Sequence, residues 1–223
     1  MSDIFEQYYE ALKRKGRAGG YKVLKVAGAG IITVGNAIIK MGGAAKLEKG
    51  ILKVSGGCRI EGDLEVKELK MSGGMEAEGS IKASKVAVSG ATKIKGELSC
   101  DEAIISGALT VPEVKAKIFK LAGACTVSRK LMVKDRAEIK FSGKSYIDEI
   151  ICEGNLIIEP VVEKVAILRF ILVKVRRRKS WFKARRIAAK GEVKLRNVIC
   201  EELVYSGKGE ISNCKIKRIQ IIS

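Results

Sequence analysis

Short runs of alternating hydrophobic and polar residues fill this chain of 223 residues, and glycine interrupts them at regular intervals. The recurring step is an apolar residue, a small residue and a glycine, written VAG, KVSG, KMSG, AVSG, IISG, KLAG, KFSG and VYSG. Through the middle of the chain the glycines are 17 residues apart, and the next two spacings are 16 and 20. A near-constant spacing of this kind predicts a repeat architecture. The glycines are Gly28, Gly56, Gly73, Gly90, Gly107, Gly123, Gly143 and Gly207.

Within the 17-residue units, apolar residues return at fixed distances from the glycine. Ile60, Ala77 and Ile94 stand four residues after it, and further apolar residues stand eight, ten, thirteen and fifteen residues after it. Lys, Glu and Ser fill most of the positions between, which is the period-two alternation of a strand with one buried face. A second glycine in each unit, such as Gly62, permits a tight bend between strands. Three short strands per unit therefore predict one coil of a parallel β-helix.

A 16-residue version of the repeat covers the C-terminal part of the chain. Counted back from Ser223, it passes Gly207, Gly191, Val175, Glu159 and Gly143. We therefore predict about twelve coils, which would form a rod of about 55 Å, and a corner loop of about four extra residues after Gly123. An antiparallel sandwich would not produce fixed inward offsets, and a left-handed β-helix would need a hexapeptide period. The predicted domain is one continuous all-β solenoid over residues 21–223, preceded by a separate segment at residues 1–20.

Three units of the form I-x-G-x-[IL] stand in the middle of the chain. They are Ile60-Glu61-Gly62-Asp63-Leu64, Ala77-Glu78-Gly79-Ser80-Ile81 and Ile94-Lys95-Gly96-Glu97-Leu98. Over about residues 50–133 the sequence resembles the bactofilins, the polymer-forming cytoskeletal proteins, whose core repeats units of this form. The resemblance implies a right-handed β-helix that polymerises end to end without nucleotide, often anchored to a membrane through a short N-terminal tail. Residues 160–223 would add further coils with a basic surface.

The residue types present exclude much of enzyme chemistry. The chain has no histidine, so it offers no conventional catalytic triad and no imidazole base or metal ligand. Acidic residues such as Glu61, Asp63 and Glu65 alternate outward, as solvated partners of nearby lysines do. The glycines do not form a phosphate-binding loop, and the six cysteines are widely spaced, which favours small core residues over zinc ligands. We predict a protein that is not an enzyme and that uses no cofactor, metal or small-molecule substrate.

The predicted compartment is the cytoplasm, with association at a membrane surface as an option. The sequence contains no run of about 20 apolar residues that could span a bilayer. The first residues, MSDIFEQYYEALKRKGR, lack the apolar stretch and cleavage site of a secretory signal. The scarcity of Asn and Gln beside abundant Lys, Glu and Arg indicates a thermophilic source.

Isoleucines occupy the inward positions of the last predicted coil. They are Ile216, Ile219, Ile221 and Ile222. The end coil of a β-helix has backbone groups and core side chains without a neighbour, so a second copy can add there. We expect a polymer contact at Ile219 and Ile221, and the alternative is a final coil that the chain itself caps.

An amphipathic pattern precedes the repeats. Its apolar face, at helical spacing over about three turns, consists of Ile4, Phe5, Tyr8, Tyr9 and Leu12, and basic residues follow it. The pattern fits an end cap that covers the open core of the first coil, which repeat arrays need. It also fits an anchor on an anionic membrane, and the cap is the interpretation we favour.

The positive charge of the chain is concentrated near its C-terminal third. Residues 164–196 contain thirteen Lys or Arg and one acidic residue, within a formal net charge of +18 for the chain. Guanidinium groups bind phosphate in a bidentate manner, and aromatic residues among them stack on bases or sit among lipid headgroups. The candidate residues for an anionic partner are Arg176, Arg177, Arg178, Lys179, Trp181, Lys183, Arg185 and Arg186. An ordinary charged face is the competing interpretation.

Together these features favour a cytoskeletal scaffold that assembles with itself end to end into nucleotide-independent filaments. Its basic surface would recruit an anionic partner, either a membrane surface or a nucleic acid. The alternative function is a module that does not polymerise and that binds nucleic acid or a membrane surface on a rigid β-helix.

Overall fold

The computed structural model describes residues 24–161 and 180–222, and these residues form a parallel β-solenoid of about nine turns. They contain fifteen strands in one continuous sheet and no helix. At about 4.8 Å between neighbouring strands, nine turns make a rod of about 40 Å. The strands are β1 (Leu24–Val26), β2 (Ala29–Val34), β3 (Ala37–Glu48), β4 (Ile51–Glu61), β5 (Leu64–Ser72), β6 (Met75–Ala77), β7 (Ile81–Ile94), β8 (Glu97–Phe141), β9 (Ser145–Cys152), β10 (Asn155–Pro160), β11 (Phe182–Ala189), β12 (Val193–Arg196), β13 (Val198–Tyr205), β14 (Gly209–Ser212) and β15 (Lys215–Ile221).

The predicted columns of inward side chains are confirmed. Ile60 pairs with Ala77, and Ala77 with Ile94, across parallel strands, and each of the three is at most 2% exposed. The residues at the other predicted offsets pair in the same way between β5, β7 and β8. Since a slip of one residue would turn every inward side chain outward, the repeat length sets the register between coils.

The recurring glycines also stack, and at each of them two backbones approach closely. Gly73 has φ of 126°, and a Cβ on it would lie 2.2 Å from the carbonyl oxygen of Gly56. Gly90 and Gly107 have similar φ angles and stand in the same relation to the glycine one coil before. Any side chain here would combine an unfavourable φ with a backbone clash. Glycine is therefore required at this corner for packing between coils as well as for bending.

The parallel coils begin at β4, which differs from the predicted start at residue 21. Strand β3 pairs antiparallel with β4 on one side and with β1 and β2 on the other. Lys49 and Gly50, with φ of 50° and 77°, form the two-residue turn between β3 and β4, and such turns reverse the chain. The inward column nevertheless continues, because Ile32 and Ile39 lie over Ile60 in the stack.

The predicted 16-residue step through Val175 is wrong. Strand β9 pairs directly with β11, so that Ile147 lies beside Ala184, and β10 pairs directly with β12. Because these neighbours share hydrogen bonds, no coil lies between them. The last two predicted steps are confirmed, since Leu195 pairs with Ile211 and Cys200 with Ile216. The predicted count of about twelve coils is not confirmed.

Part of the wider repeat after Gly123 is accommodated inside the strands. The pairing of β8 with β9 shifts register between Val127 and Lys130. A shift of this kind is a β-bulge, in which an extra residue is tolerated without breaking the ladder. The predicted four-residue corner loop is therefore partly a bulge.

Ion pairs between neighbouring coils cover much of the outer surface. Glu61 binds Lys40 at 2.7 Å, and Glu65 binds Lys82 at 2.9 Å, as the alternation of charges predicted. Asp63 instead accepts a hydrogen bond from the backbone N–H of Ser80 at 2.7 Å. Exposed pairs of this type contribute about 0–1 kcal/mol each, so the stability of the rod depends mainly on its core.

Candidate assembly surface

Strands β14 and β15 form the last described coil, and each has a neighbour on one side only. β14 pairs with β12, and β15 pairs with β13. Their outer backbone N–H and C=O groups therefore have no partner strand among the described residues. An edge of this kind is a template for the addition of another strand.

The inward columns reach this end and become exposed there. Ile150, Ile187 and Leu203 are consecutive members of one column and are fully buried, whereas the next member, Ile219, is 54% exposed. A parallel column ends with Tyr205, which is 8% exposed, and Ile221, which is 64% exposed. The third candidate, Ile222, is 51% exposed, and Ile216 is half-buried. The end of the rod is thus a cross-section of its hydrophobic core.

A pair of stacked asparagines reaches the same end. Asn197 and Asn213 both have positive φ, and the side-chain amide of Asn213 donates a hydrogen bond to the side-chain oxygen of Asn197 at 2.5 Å. The Asn197 amide donates in turn to the carbonyl oxygen of Ser180 at 3.4 Å. The signal for this ladder is present in the sequence, since the two asparagines are 16 residues apart, but we did not identify it there.

The opposite end of the described rod also consists of edge strands. Among the described residues β1 and β2 pair only with β3. Ile32 is buried, and Leu24, Val26 and Val34 are half-buried and pack against the core. Both ends of the rod thus carry edge strands, but the larger exposed apolar residues lie at the C-terminal end.

Two of the candidate anion-binding residues are engaged with carboxylates. Arg185 donates hydrogen bonds to both oxygens of Asp148, at 3.0 and 3.1 Å, and these hold the pKa of Asp148 below its usual range. Arg186 lies 3.0 Å from Glu149 and 3.1 Å from Glu202. Each guanidinium would have to leave its carboxylate before it could bind a phosphate, so the two contribute less to anion binding than their charge suggests.

The environment of Glu149 combines burial with two cations. Burial raises the pKa of Glu149, but hydrogen bonds and charge from Lys130 and Arg186 lower it more, and the net pKa is below the usual value. Lys130 lies 3.0 Å from this carboxylate. The cluster therefore ties strand β9 to both neighbouring coils.

Trp181 and Lys183 are the other candidate anion-binding residues within the described chain. Trp181 is half-buried, with the amine of Lys215 5.7 Å from its ring centroid, and Lys183 is exposed. Residues 176–179 lie outside the described residues. The candidates for an end cap or membrane anchor, Ile4, Phe5, Tyr8, Tyr9 and Leu12, also lie outside them.

The cysteines belong mostly to the core, as predicted. All six are free, and Cys58, Cys125, Cys152 and Cys200 are buried. Burial raises the pKa of the Cys58 thiol to about 11 and that of Cys125 to about 12. Among residues 24–161 and 180–222, no cluster of three or more Cys, Asp or Glu side chains is placed to hold a metal ion.

The described part of the chain contains no helix with the length and hydropathy that crossing a bilayer requires. Compared with family models, with curated proteins and with solved structures, the chain matches none of them.

Proposed function

We propose that this protein is a structural scaffold that assembles with itself end to end through the termini of its β-solenoid. The observation that supports it is the exposure of Ile219 and Ile221, which continue fully built core columns but have no coil above them. A second copy placed on this end would continue both the columns and the backbone ladder. This proposal includes the right-handed winding and the kinship with bactofilins that the I-x-G-x-[IL] units favour.

The energetics indicate that side chains and backbone must both take part. Complete burial of an isoleucine contributes about 1.5–3 kcal/mol, so covering three that are half exposed contributes about 3 kcal/mol from this surface. Association costs at least about 4 kcal/mol in lost translational and rotational freedom. New hydrogen bonds along β14 and β15, at about 1 kcal/mol each, would supply the remainder. Assembly should therefore require an intact edge as well as an apolar one.

The test compares two substitutions in the same strand. Ile221→Lys places a charge on the core cross-section, whereas Gln220→Lys places the same charge on the neighbouring, outward position. We expect wild type and Gln220→Lys to form filaments in negative-stain micrographs and large species in analytical ultracentrifugation. Ile221→Lys should remain a folded monomer by circular dichroism. Filaments formed equally well by Ile221→Lys would refute assembly through this end.

The proposal also assigns an anionic partner to the basic region of the scaffold. It is supported by the concentration of Lys and Arg at residues 164–196 and by the exposed Lys183 beside Trp181. Retention on heparin that falls with salt, and that is reduced in Lys183→Ala, would support this role. Passage through the column at low salt would remove it and leave the assembly proposal intact.

A second candidate function is a binding module that remains monomeric. The ion pairs of Arg185 and Arg186 argue against a strong preformed phosphate site among the described residues. Sedimentation of wild-type protein distinguishes the two functions, since a monomer at all concentrations that nevertheless binds heparin would favour the module.

A further inference from the structure

One outer face of the rod carries an apolar groove of about 870 Å³. The groove crosses β1, β3, β4, β5, β7 and β8, so it runs along the rod axis over the first coils. Many of its outward-facing residues are small or apolar, including Ala44, Ala87, Ile104, Ser72 and Ser89. The titratable residues that line it are all lysines, namely Lys25, Lys46, Lys53 and Lys70.

The composition of this face differs from that of the neighbouring faces. Along another row of outward positions Arg59, Glu76 and Lys93 pair across consecutive coils, with alternating charge. Along the groove the corresponding row ends in Ala87 and Ile104, which pair with each other. An outward face of a parallel sheet that lacks alternating charge is normally covered by another element. The groove therefore has the character of a seat rather than of a solvated surface.

The end of the rod does not supply the site that a cap would need. The first parallel coil, which contains Ile60, is already covered by β3 and β2, with Ile39 and Ile32 continuing its column. An amphipathic segment from the N-terminus has no open parallel coil to close. The groove, by contrast, begins beside the residue at which the described chain starts, because Lys25 and Val26 line it.

The dimensions of the groove match the amphipathic segment. From β3 to β8 the groove crosses five neighbouring strands, a distance of about 19 Å. A helix over residues 2–13 would be about 18 Å long. Residues 14–23 include three glycines and could span up to about 35 Å, so the chain can turn back along the rod.

The charges also match. Residues 1–12 contain three acidic side chains, Asp3, Glu6 and Glu10, and no Lys or Arg. This part of the segment is attracted by the lysines of the groove and repelled by an anionic lipid surface.

We propose that residues 1–18 of the same chain dock in this groove as an amphipathic helix. Ile4, Phe5, Tyr8, Tyr9 and Leu12 would then face the small residues of β5 and β7. The helix covers the flank of the solenoid rather than its end, and both ends of the described rod remain free for contact with other copies.

Hydrogen exchange measured on the full-length chain tests the proposal. Ala87→Arg fills the middle of the groove with a large cation, and Ser84→Arg places the same side chain on an exposed position of the same strand outside it. In wild type and in Ser84→Arg we expect amides of residues 3–13 to exchange at least ten-fold more slowly than in Ala87→Arg. Exchange of peptides from residues 193–205 should be the same in all three proteins, which shows that the rod is intact.

Four outcomes would overturn the proposal. Amides 3–13 that exchange equally fast in wild type and Ala87→Arg would show that the segment does not dock. Equal protection in Ala87→Arg and wild type would place its seat elsewhere. Protection that rises with protein concentration would assign the groove to a second copy, and protection that appears only with phosphatidylserine vesicles would assign the segment to a membrane. Tyr8→Glu provides an independent check, because it leaves the rod unchanged and should abolish protection.

Discussion

Leu203 and Ile219 are neighbours in one core column, yet Leu203 is fully buried and Ile219 is 54% exposed. They occupy equivalent positions 16 residues apart, on β13 and β15. The difference arises because a further coil covers Leu203 and none of the described residues covers Ile219. The pair therefore measures what one additional coil contributes to the burial of a side chain.

Substitution of these two residues should have unequal effects on the stability of the dispersed protein. Leu203→Ala creates a cavity in a packed core and should lower the free energy of unfolding by about 2–5 kcal/mol. Ile219→Ala removes atoms that are already half solvated and should cost about 1 kcal/mol. Urea denaturation at low protein concentration measures both. Equal losses would mean that Ile219 is covered in the monomer, and would count against an open end.

The glycine column predicts a sharp contrast between two adjacent glycines. Gly73 has φ of 126° and a Cβ on it would lie 2.2 Å from a backbone oxygen, so Gly73→Ala should cost about 3 kcal/mol or more. Gly74 has nothing within 4 Å of its Cβ position, and Gly74→Ala should change stability by less than about 1 kcal/mol. Thermal unfolding of the two variants beside wild type makes the comparison. A similar loss in both would show that conformational freedom, and not the approach of Gly56, explains the repeat.

Much of the solenoid could be predicted from the sequence because alternation and a constant period determine which residues face inward. Ile60, Ala77 and Ile94 could be placed in one column from their spacing alone. The antiparallel start was missed because hairpins show the same alternation. Its signals were the Lys49–Gly50 turn and glycine spacings of 15 and 13 before Gly56, where later spacings are 16 or 17.

The assembly surface and the basic region differed in how far the sequence could define them. The inward positions of Ile219 and Ile221 followed from the 16-residue frame, so their place at the end of the columns was predictable. The partners of Arg185 and Arg186 were not. Asp148 and Glu149 are 37 residues earlier, and this separation exceeds one repeat because β9 pairs directly with β11.

Acid should weaken the cluster around Glu149. Its pKa is lower in the folded protein than the ordinary value of 4.5, so its ionised form stabilises the fold at pH values above about 4.5. That contribution is lost as the pH falls through the folded-state pKa. Glu149→Gln should therefore be less stable than wild type at pH 7, and the difference should shrink below about pH 4.5.

Denaturant unfolding of both proteins between pH 7 and pH 3 measures this difference. Glu65→Gln is the matched control, because it removes an exposed carboxylate whose partner is the exposed Lys82. For the control we expect a change of less than about 1 kcal/mol at pH 7. A gap between Glu149→Gln and wild type that stays constant with pH would contradict the assigned role of the ion pairs.

The asparagine ladder allows backbone strain and hydrogen bonding to be separated at one position. Asn197 has φ of 58°, accepts a hydrogen bond from Asn213 and donates one to Ser180. Asn197→Gly removes the hydrogen bonds but tolerates the backbone, and should cost about 1 kcal/mol. Asn197→Ala adds about 1–2 kcal/mol for a left-handed residue with a Cβ. Urea denaturation gives both values, and equal losses in the two variants would show that the backbone angle carries no cost.

The same ladder provides a test at the end of the rod. Asn213 has φ of 50° and is exposed, and its side-chain oxygen is an acceptor that a coil of another copy could use. Asn213→Gly preserves the backbone conformation, so the dispersed protein should lose at most about 1 kcal/mol of stability. If the ladder continues into a neighbouring copy, the concentration needed for assembly should rise about five-fold, as expected for the loss of about 1 kcal/mol per contact. Sedimentation over a range of protein concentrations measures the shift, and an unchanged threshold would mean that the ladder ends at Asn213.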